Sequence, residues 1–409
     1  MTTLRPPSRA TPPEPARSSR PAAAEPRRGF AAVVPVSRIF AADNRDSLLL
    51  IGTTLFLVGF GLVMVLSASS VEQEAATGDP FARVVRQAVF AAIAIPLMLI
   101  AGRMPSRFWK RWAWPMVMIT GALQLLVFVP GLGTASGGNT NWLSIGDITF
   151  QPSEFVKFAL IVWIGAILGA RHDELGDWKR LALPVGPVAA VAIGLVLLGN
   201  DLGTAAIMLV IVFACAYFAG ARLSHLLVGG LGVALLALIV AVTSPNRVSR
   251  ISAWINGCTD ADYSGYCWQP QHATWALASG GILGVGLGNS RSKWNWLPEA
   301  DSDYIFAIIG EELGLIGAVV VLALYTTMAI VLVRMMRRFR DPFARVVTGG
   351  VLVWIVGQAL VNIAVVLGLM PVLGVPLPLV SSGGSSLVAV LLGVGVVLSL
   401  ARAERRALT

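Results

Sequence analysis

The sequence predicts an all-α polytopic membrane protein of about ten transmembrane helices, with cytoplasmic N- and C-termini and one large extracytoplasmic loop between helices 7 and 8. Three observations carry that prediction. Apolar residues make up 56% of the chain and charged residues only 13%, against roughly 45–50% and ~25% in soluble domains, and the mean hydropathy is +0.75. The apolar residues gather into runs of the ~20 residues that a spanning helix needs. The basic residues collect in short connections on one side, as the positive-inside rule requires. The net charge of +9, from 31 basic and 22 acidic residues, is therefore a topology signal, and no nucleic-acid partner is expected. Three cysteines are too few for a disulfide scaffold or a thiolate zinc site. Three separated histidines argue against a histidine metal site.

Residues 1–47 are rich in Pro, Arg, Ala and Ser, cannot build a core, and read as a disordered basic cytoplasmic tail. No apolar h-region follows the first charges within ~30 residues, so a cleavable signal peptide is not expected. The tail's arginines suit anionic lipid headgroups, at about 1 kcal/mol per basic residue near the surface. Ten candidate spans follow, at approximately 48–68, 84–102, 113–131, 152–170, 182–199, 202–219, 223–243, 304–334, 345–370 and 379–401. The eighth is too long for one simple span, so its first turns are expected outside the hydrocarbon. Connections 103–112 and 334–345 are strongly basic, Arg171, Lys179, Arg180 and Arg222 lie in two more, and 403–409 is a short basic tail. All fall on one side if the N-terminus is inside. The connection 132–150 has no Lys or Arg and falls outside, with the much longer loop 244–303. Residues 48–402 thus read as one transmembrane domain. No internal repeat is evident, which disfavours a repeat-built transporter.

Cys258 and Cys267 both lie in the long outer loop. An oxidising exterior suits a disulfide between them, with two unpaired thiols as the alternative. Cys215 sits in an apolar run and reads as core packing.

Several polar groups stand where they are expensive. The stretch 293–314 carries five carboxylates, Glu299, Asp301, Asp303, Glu311 and Glu312. Ionisable groups at a membrane suggest function, but Asp303 also fits an N-cap for the helix that begins near Tyr304. Gln151, Pro152, Ser153, Glu154 and Lys157 open the fourth span. Proline suits a first helical turn, and Glu154 and Lys157 share a helix face. They are either a self-paired salt bridge or a cavity-facing acid and cation. Asp201, between two apolar runs, is either a cap in an outer hairpin or a site residue. Glu311 and Glu312 lie about 12 Å along their helix at 1.5 Å per residue, so at least one faces protein or water. Pro371, Pro376 and Pro378 interrupt an apolar run, and Ser381–Ser386 follow. That segment is either tight small-residue packing or non-helical backbone lining a cavity.

Together these segments resemble the SEDS family (shape, elongation, division and sporulation), the FtsW/RodA group of bacterial cell-wall polymerases, over about 48–402. Five ordered motifs carry the resemblance: Gln151-Pro152-Ser153-Glu154 with Lys157; Asp201-Leu202-Gly203-Thr204; Ser279 to Gly288; Leu297-Pro298-Glu299-Ala300 with Asp303; and Gly374 to Ser386. Ile308 to Gly314 is more similar to the division-type FtsW branch than to RodA. The chain departs from the family pattern at four places. Asn141 replaces an Arg, Asn200 a Pro, Asp301-Ser302 a His-Thr, and Ser382 a Tyr.

The resemblance implies a peptidoglycan glycosyltransferase in the bacterial cytoplasmic membrane, at the division septum, that polymerises lipid II at the outer face. The donor is α-linked to undecaprenyl pyrophosphate and the product is β-1,4 linked, so one inverting displacement suffices. Asp303 matches the family's essential Asp and becomes the general base. Lys157, which the resemblance also allows to pair with Asp303 and so lower its pKa, is the first candidate to stabilise the leaving pyrophosphate. Arg86 and Lys293 are the next. Glu154, Gln151, Ser153, Asp201, Glu299 and Ser385 are further substrate-binding candidates, and Trp142 and Asn139 border the sugar site. A divalent cation, Mg or Mn, has Glu299, Asp301 or Asp201 nearby but no dedicated site. The implied partners are a class B penicillin-binding protein and other divisome membrane proteins. A lipid II flippase and a non-catalytic divisome scaffold are the competing readings. A flippase needs no carboxylate placed as a base, and a scaffold tolerates Asp303→Asn.

Overall fold

The computed structural model describes residues 45–408, apart from 137–138, 147, 243–244, 257–264, 266 and 295. The predicted tail lies outside the described residues up to 44, and residues 45–47 already belong to the first helix. In chain order the long helices are α1 (Arg45–Thr77), α2 (Ala82–Ala101), α3 (Ser106–Leu126), α4 (Pro152–Gly169), α5 (Trp178–Leu198), α6 (Leu202–Ala219) and α7 (Leu223–Val242). Two shorter helices follow, α8 (Pro245–Asn256) and α9 (Trp268–Gly280). The last are α10 (Ile305–Arg338), α11 (Pro342–Leu352), α12 (Gln358–Val366) and α13 (Gly384–Leu408). A π-helical turn, Val353–Gly357, joins α11 to α12.

Each predicted span falls on a helix. Among the described residues eight helical passages are long and apolar enough to cross a membrane, against the ten expected, with α11 and α12 counting as one passage, Pro342–Val366. The all-α polytopic class is therefore the observed one. The bundle centre is α4, whose first turn holds Pro152 where no N–H partner is required, and α13 is similarly enclosed. Small residues bring neighbours close. A Cβ on Gly165 would strike Val347, and one on Gly395 would meet Met98 O at 2.6 Å and Ala101 at 2.7 Å.

The structure corrects several boundaries. The connection 132–150 is an antiparallel three-stranded sheet, β1 (Gly133–Ser136), β2 (Asn139–Ile145) and β3 (Ile148–Phe150). The long loop 244–303 contains α8 and α9. Most of the basic connection 103–112 is helical, because α3 begins at Ser106. The last helix starts at Gly384, and 371–383 is non-helical. The short tail 403–409 continues α13 as far as Leu408. In α10 the helical conformation breaks at Gly314, with φ 66° and ψ −164°, so the over-long eighth span is two helical pieces.

Candidate active site

A cavity of about 790 Å³ opens at the end of the bundle opposite the basic helix ends. The ends of α1 and α2 form one wall with Gln73, Arg83, Arg86 and Gln87, and the sheet adds Asn139 and Trp142. Gln151, Asp201, Arg250 of α8, Glu299 and Asp303 complete it, with the non-helical segment 372–376 and Ser382–Ser386. Eight predicted site residues therefore converge: Asp303, Gln151, Asp201, Trp142, Asn139, Arg86, Glu299 and Ser385. Lys157, Glu154, Ser153 and Lys293 are not on this surface.

Asp303 stands in a turn just before α10. The N–H groups of Ser302 and Tyr304 both bond to the carbonyl of Glu299, at 3.2 and 3.0 Å. Glu299 itself adopts φ 58°, so the backbone doubles back and carries Asp303 to the cavity wall. Asn362 of α12 donates to the Asp303 carbonyl at 2.7 Å and to the Val375 carbonyl at 2.8 Å. The Ser382 N–H donates to the Asp301 carbonyl at 2.8 Å, and Ser381 Oγ donates to the Ser302 carbonyl. The acidic turn and the segment 371–383 are thus one unit, and the carboxylate is left to the cavity.

That carboxyl is pushed up to about 7. Burial is the largest cause, since desolvation disfavours the charged form. The neighbouring Glu299, Asp201 and Asp301 push the same way, and Arg250 opposes them. The pairing with Lys157 that the resemblance allows is not the one observed. The Lys157 ammonium donates instead to Glu154 Oε1 at 2.7 Å and to Gln358 Oε1 at 3.1 Å. Both charged side chains are 1% exposed. The local i,i+3 geometry wins over the distant acid. Gln358 passes the contact on, donating to the Pro376 carbonyl at 2.9 Å. Lys157 therefore supports the cavity wall from behind.

Asp201 caps a helix and also lies on the cavity wall. Its Oδ1 caps α6 by accepting from Thr204 N at 2.9 Å, and its Oδ2 accepts from Gln151 Nε2 at 3.0 Å. Burial raises its pKa. Ser385 Oγ accepts from the Gln151 N–H at 3.2 Å. Ser153 is fully buried in α4. Lys293 is buried away from the cavity, its ammonium on the Gly288 carbonyl at 2.6 Å and 3.6 Å from Glu312. Glu312 also accepts from Ser67 Oγ at 2.7 Å, and Glu311 from Ser290 Oγ at 2.6 Å. These two acids form a separate structural cluster. Cys267 is disulfide-bonded, Cys215 is free and buried, and Cys258 lies outside the described residues.

Arg83, which sequence reasoning missed, donates through Nη1 to both oxygens of Asp301, at 2.7 and 2.8 Å. Asn362, Gln358 and Arg250 were missed too. For the two amides a signal was present, because polar amides inside an apolar run tend to bond across helices. The departures at 141 and 200 also acquire reasons. Buried Asn141 accepts from Gln124 at 2.9 Å and donates to the Gly199 carbonyl at 3.2 Å, which fastens the sheet to α3 and α5. Asn200 adopts φ 65°, a value that a proline ring forbids.

Among the described residues no group of three or more His, Cys, Asp or Glu side chains is arranged for a metal. Asp301 is engaged by Arg83, and Asp201 by Thr204 and Gln151. Glu299 accepts from Ser302 Oγ at 2.5 Å, so the carboxylates around Asp303 are already committed to protein partners and the donor set does not fit a dedicated cation site.

A bundle of apolar helices that opens a polar, carboxylate-bearing cavity at one end is a multi-pass membrane protein with a site fit for chemistry at the membrane surface. The chain belongs to the FtsW/RodA/SpoVE family of cell cycle proteins, whose profile it matches over residues 47–406. It is 37% identical to the probable peptidoglycan glycosyltransferase FtsW of Mycobacterium tuberculosis, over 96% of this chain and 74% of that one. It is 34% identical to the stage V sporulation protein E of Bacillus subtilis, over 88% of this chain and 97% of that one. Among solved structures, one described as a peptidoglycan synthase complex that coordinates polymerization and crosslinking superposes with a TM-score of 0.70. The identity is 27%, covering 86% of this chain and 96% of that one. The rod-shape-determining protein RodA of Thermus thermophilus gives a TM-score of 0.62 at 27% identity, over 87% and 96% of the two chains.

Proposed function

We propose that this chain is a peptidoglycan glycosyltransferase that polymerises lipid II into β-1,4 glycan strands at the outer face of the cytoplasmic membrane during septal wall synthesis. The names of its relatives, at 34–37% identity over most of the chain, support the activity. One structural observation carries the reading: a carboxyl, pushed up to about 7 chiefly by burial, on the wall of a cavity that also holds three guanidinium groups, Arg83, Arg86 and Arg250. A base whose pKa lies near the working pH transfers protons efficiently.

In this reading Asp303 accepts the proton of the acceptor sugar's 4-hydroxyl as its oxygen attacks the donor's anomeric carbon. The bond from that carbon to the pyrophosphate oxygen breaks, and the configuration inverts. Arg86 and Arg250 offset the charge that develops on the leaving pyrophosphate. Trp142 and Asn139 border the sugars. A class B penicillin-binding protein is the fitting partner, which the likeness to a solved synthase complex supports, and other divisome membrane proteins complete the assembly.

The test is to incubate the purified chain, with its transpeptidase partner blocked, with lipid II and to resolve the products by size. Glycan polymer supports the reading. Lipid II that crosses a vesicle bilayer but stays monomeric would replace it with a flippase.

A further inference from the structure

Four backbone hydrogen bonds join the loop after α9 to the break in α10. Leu315 N donates to Gly281 O at 2.9 Å and Ile316 N to Ile282 O at 3.3 Å. In return, Val285 N donates to Glu311 O and Gly286 N to Glu312 O, both at 3.0 Å. In an unbroken α-helix Leu315 and Ile316 would donate to those same two glutamate carbonyls. Gly314 opens the ladder, and the loop is spliced into the gap. Glycine is required there, because a Cβ on Gly284 would strike the Glu312 carbonyl and one on Gly314 the Gly284 nitrogen. With its backbone so occupied, the loop turns apolar side chains outward. Ile282 is 68% exposed, Leu283 79% and Leu287 56%.

The depth of this splice follows from the length of α10. Arg334 is its first basic residue. Counting the ~20 residues of a hydrocarbon core back from Arg334 reaches Leu315. The splice therefore lies where the hydrocarbon begins on the cavity side. Leu315, Ile316, Val319 and Val320 are exposed on α10, and the loop's side chains extend that apolar band. Irregular backbone at such depth requires its polar groups to be satisfied by protein. The four exchanged bonds satisfy the backbone groups at the gap itself, with Gly284 N to Gly280 O at 2.8 Å and Asn289 Nδ2 to Val285 O at 3.2 Å in support. Exposed Trp275, Trp294 and Trp296 flank the loop, as aromatic residues do at a membrane interface.

We propose that Gly281–Leu287 is a membrane anchor: Ile282, Leu283 and Leu287 insert into the acyl chains of the leaflet on the cavity side. The chain continues directly from this anchor to the cavity. Arg291 N donates to Glu311 at 2.9 Å and Lys293 reaches Glu312, after which the chain enters the turn that bears Asp303. The anchor thus sets the height of that turn relative to the lipid surface. It rests on backbone geometry and depth, and stands whether or not the chain makes glycan.

The test places a nitroxide at Leu283→Cys, and separately at Leu287→Cys, in the full-length chain reconstituted alone in phosphatidylethanolamine/phosphatidylglycerol vesicles. Both side chains are exposed, so labelling spares the packing. Glu74→Cys, exposed near the end of α1, is the aqueous reference. The expected result is a ratio of oxygen to nickel-chelate collision rates on the order of tenfold above the reference, since a polar chelate is excluded from hydrocarbon. A ratio equal to the reference overturns the anchor. So does a label shielded from both reagents, which would mean that protein covers the loop.

Discussion

The side-chain amide of Asn362 donates to the backbone carbonyl of Asp303 at 2.7 Å and, at the same time, to that of Val375 at 2.8 Å. One buried amide therefore ties the acidic turn to the non-helical segment that packs beside it. Asn362→Leu removes both donors and leaves two carbonyls unpartnered. The expected outcome is a 10- to 100-fold fall in turnover, with the KM for lipid II little changed, because a small misplacement of a reacting group costs about that much. Steady-state glycan synthesis checks it, and unchanged turnover would remove Asn362 from the positioning of Asp303.

The Lys157–Glu154 pair makes a different prediction. Breaking a buried pair costs about 3–5 kcal/mol, whereas replacing both partners with neutral groups is often close to neutral. Lys157→Met should therefore lower the unfolding temperature in detergent strongly, and adding Glu154→Gln should restore most of it. If Lys157→Met instead keeps wild-type stability and loses only turnover, the ammonium acts on substrate.

The raised Asp303 carboxyl fixes two pH dependences. A base works when ionised, so glycan synthesis should rise about tenfold per pH unit below 7 and level off above it. Stability runs the other way. The unfolded carboxyl, near 3.9, loses its proton first, so the folded state binds the extra proton between about pH 4 and 7 and stability falls as pH rises through that window. Asp303→Asn carries no such charge. It should unfold at a higher temperature than wild type at pH 8, with the difference shrinking toward pH 4. Thermal unfolding of the two proteins at pH 5 and 8 is the check, and an equal difference at both would contradict the raised value.

Arg83→Leu strands Asp301, which is 1% exposed. A stability loss of about 1.5–3 kcal/mol is expected for a hydrogen bond to a charged group. The double change with Asp301→Asn should cost less than the single one. Additive losses would show that the two residues do not act as a pair.

The apolar runs were legible because bilayer thickness sets their length, and Asp303, Asp201 and Gln151 because polar groups beside such runs stand out. The sheet at 133–150 was not. Its Gly, Thr, Ser and Asn residues show little apolar alternation, and main-chain bonds hold it. Glu154 and Lys157 share a helix face at a spacing that allows either a self-paired salt bridge or a cavity-facing pair, and packing against Gln358, which the sequence does not show, goes with the first. Arg83 and Asp301 are 218 positions apart, so only the fold reveals their contact. Nothing in the residues around Gly314 encodes its break, because the loop that enters the gap comes from Gly281–Gly286.

The central claim is that Asp303 is the base of a glycan polymerase. The most direct measurement compares wild type with Asp303→Asn, each purified with the proposed class B partner and the transpeptidase blocked, for polymer formed from lipid II. The account predicts glycan chains from wild type and a loss of at least about 100-fold in a mutant that stays folded. Near-wild-type polymer from Asp303→Asn would contradict it.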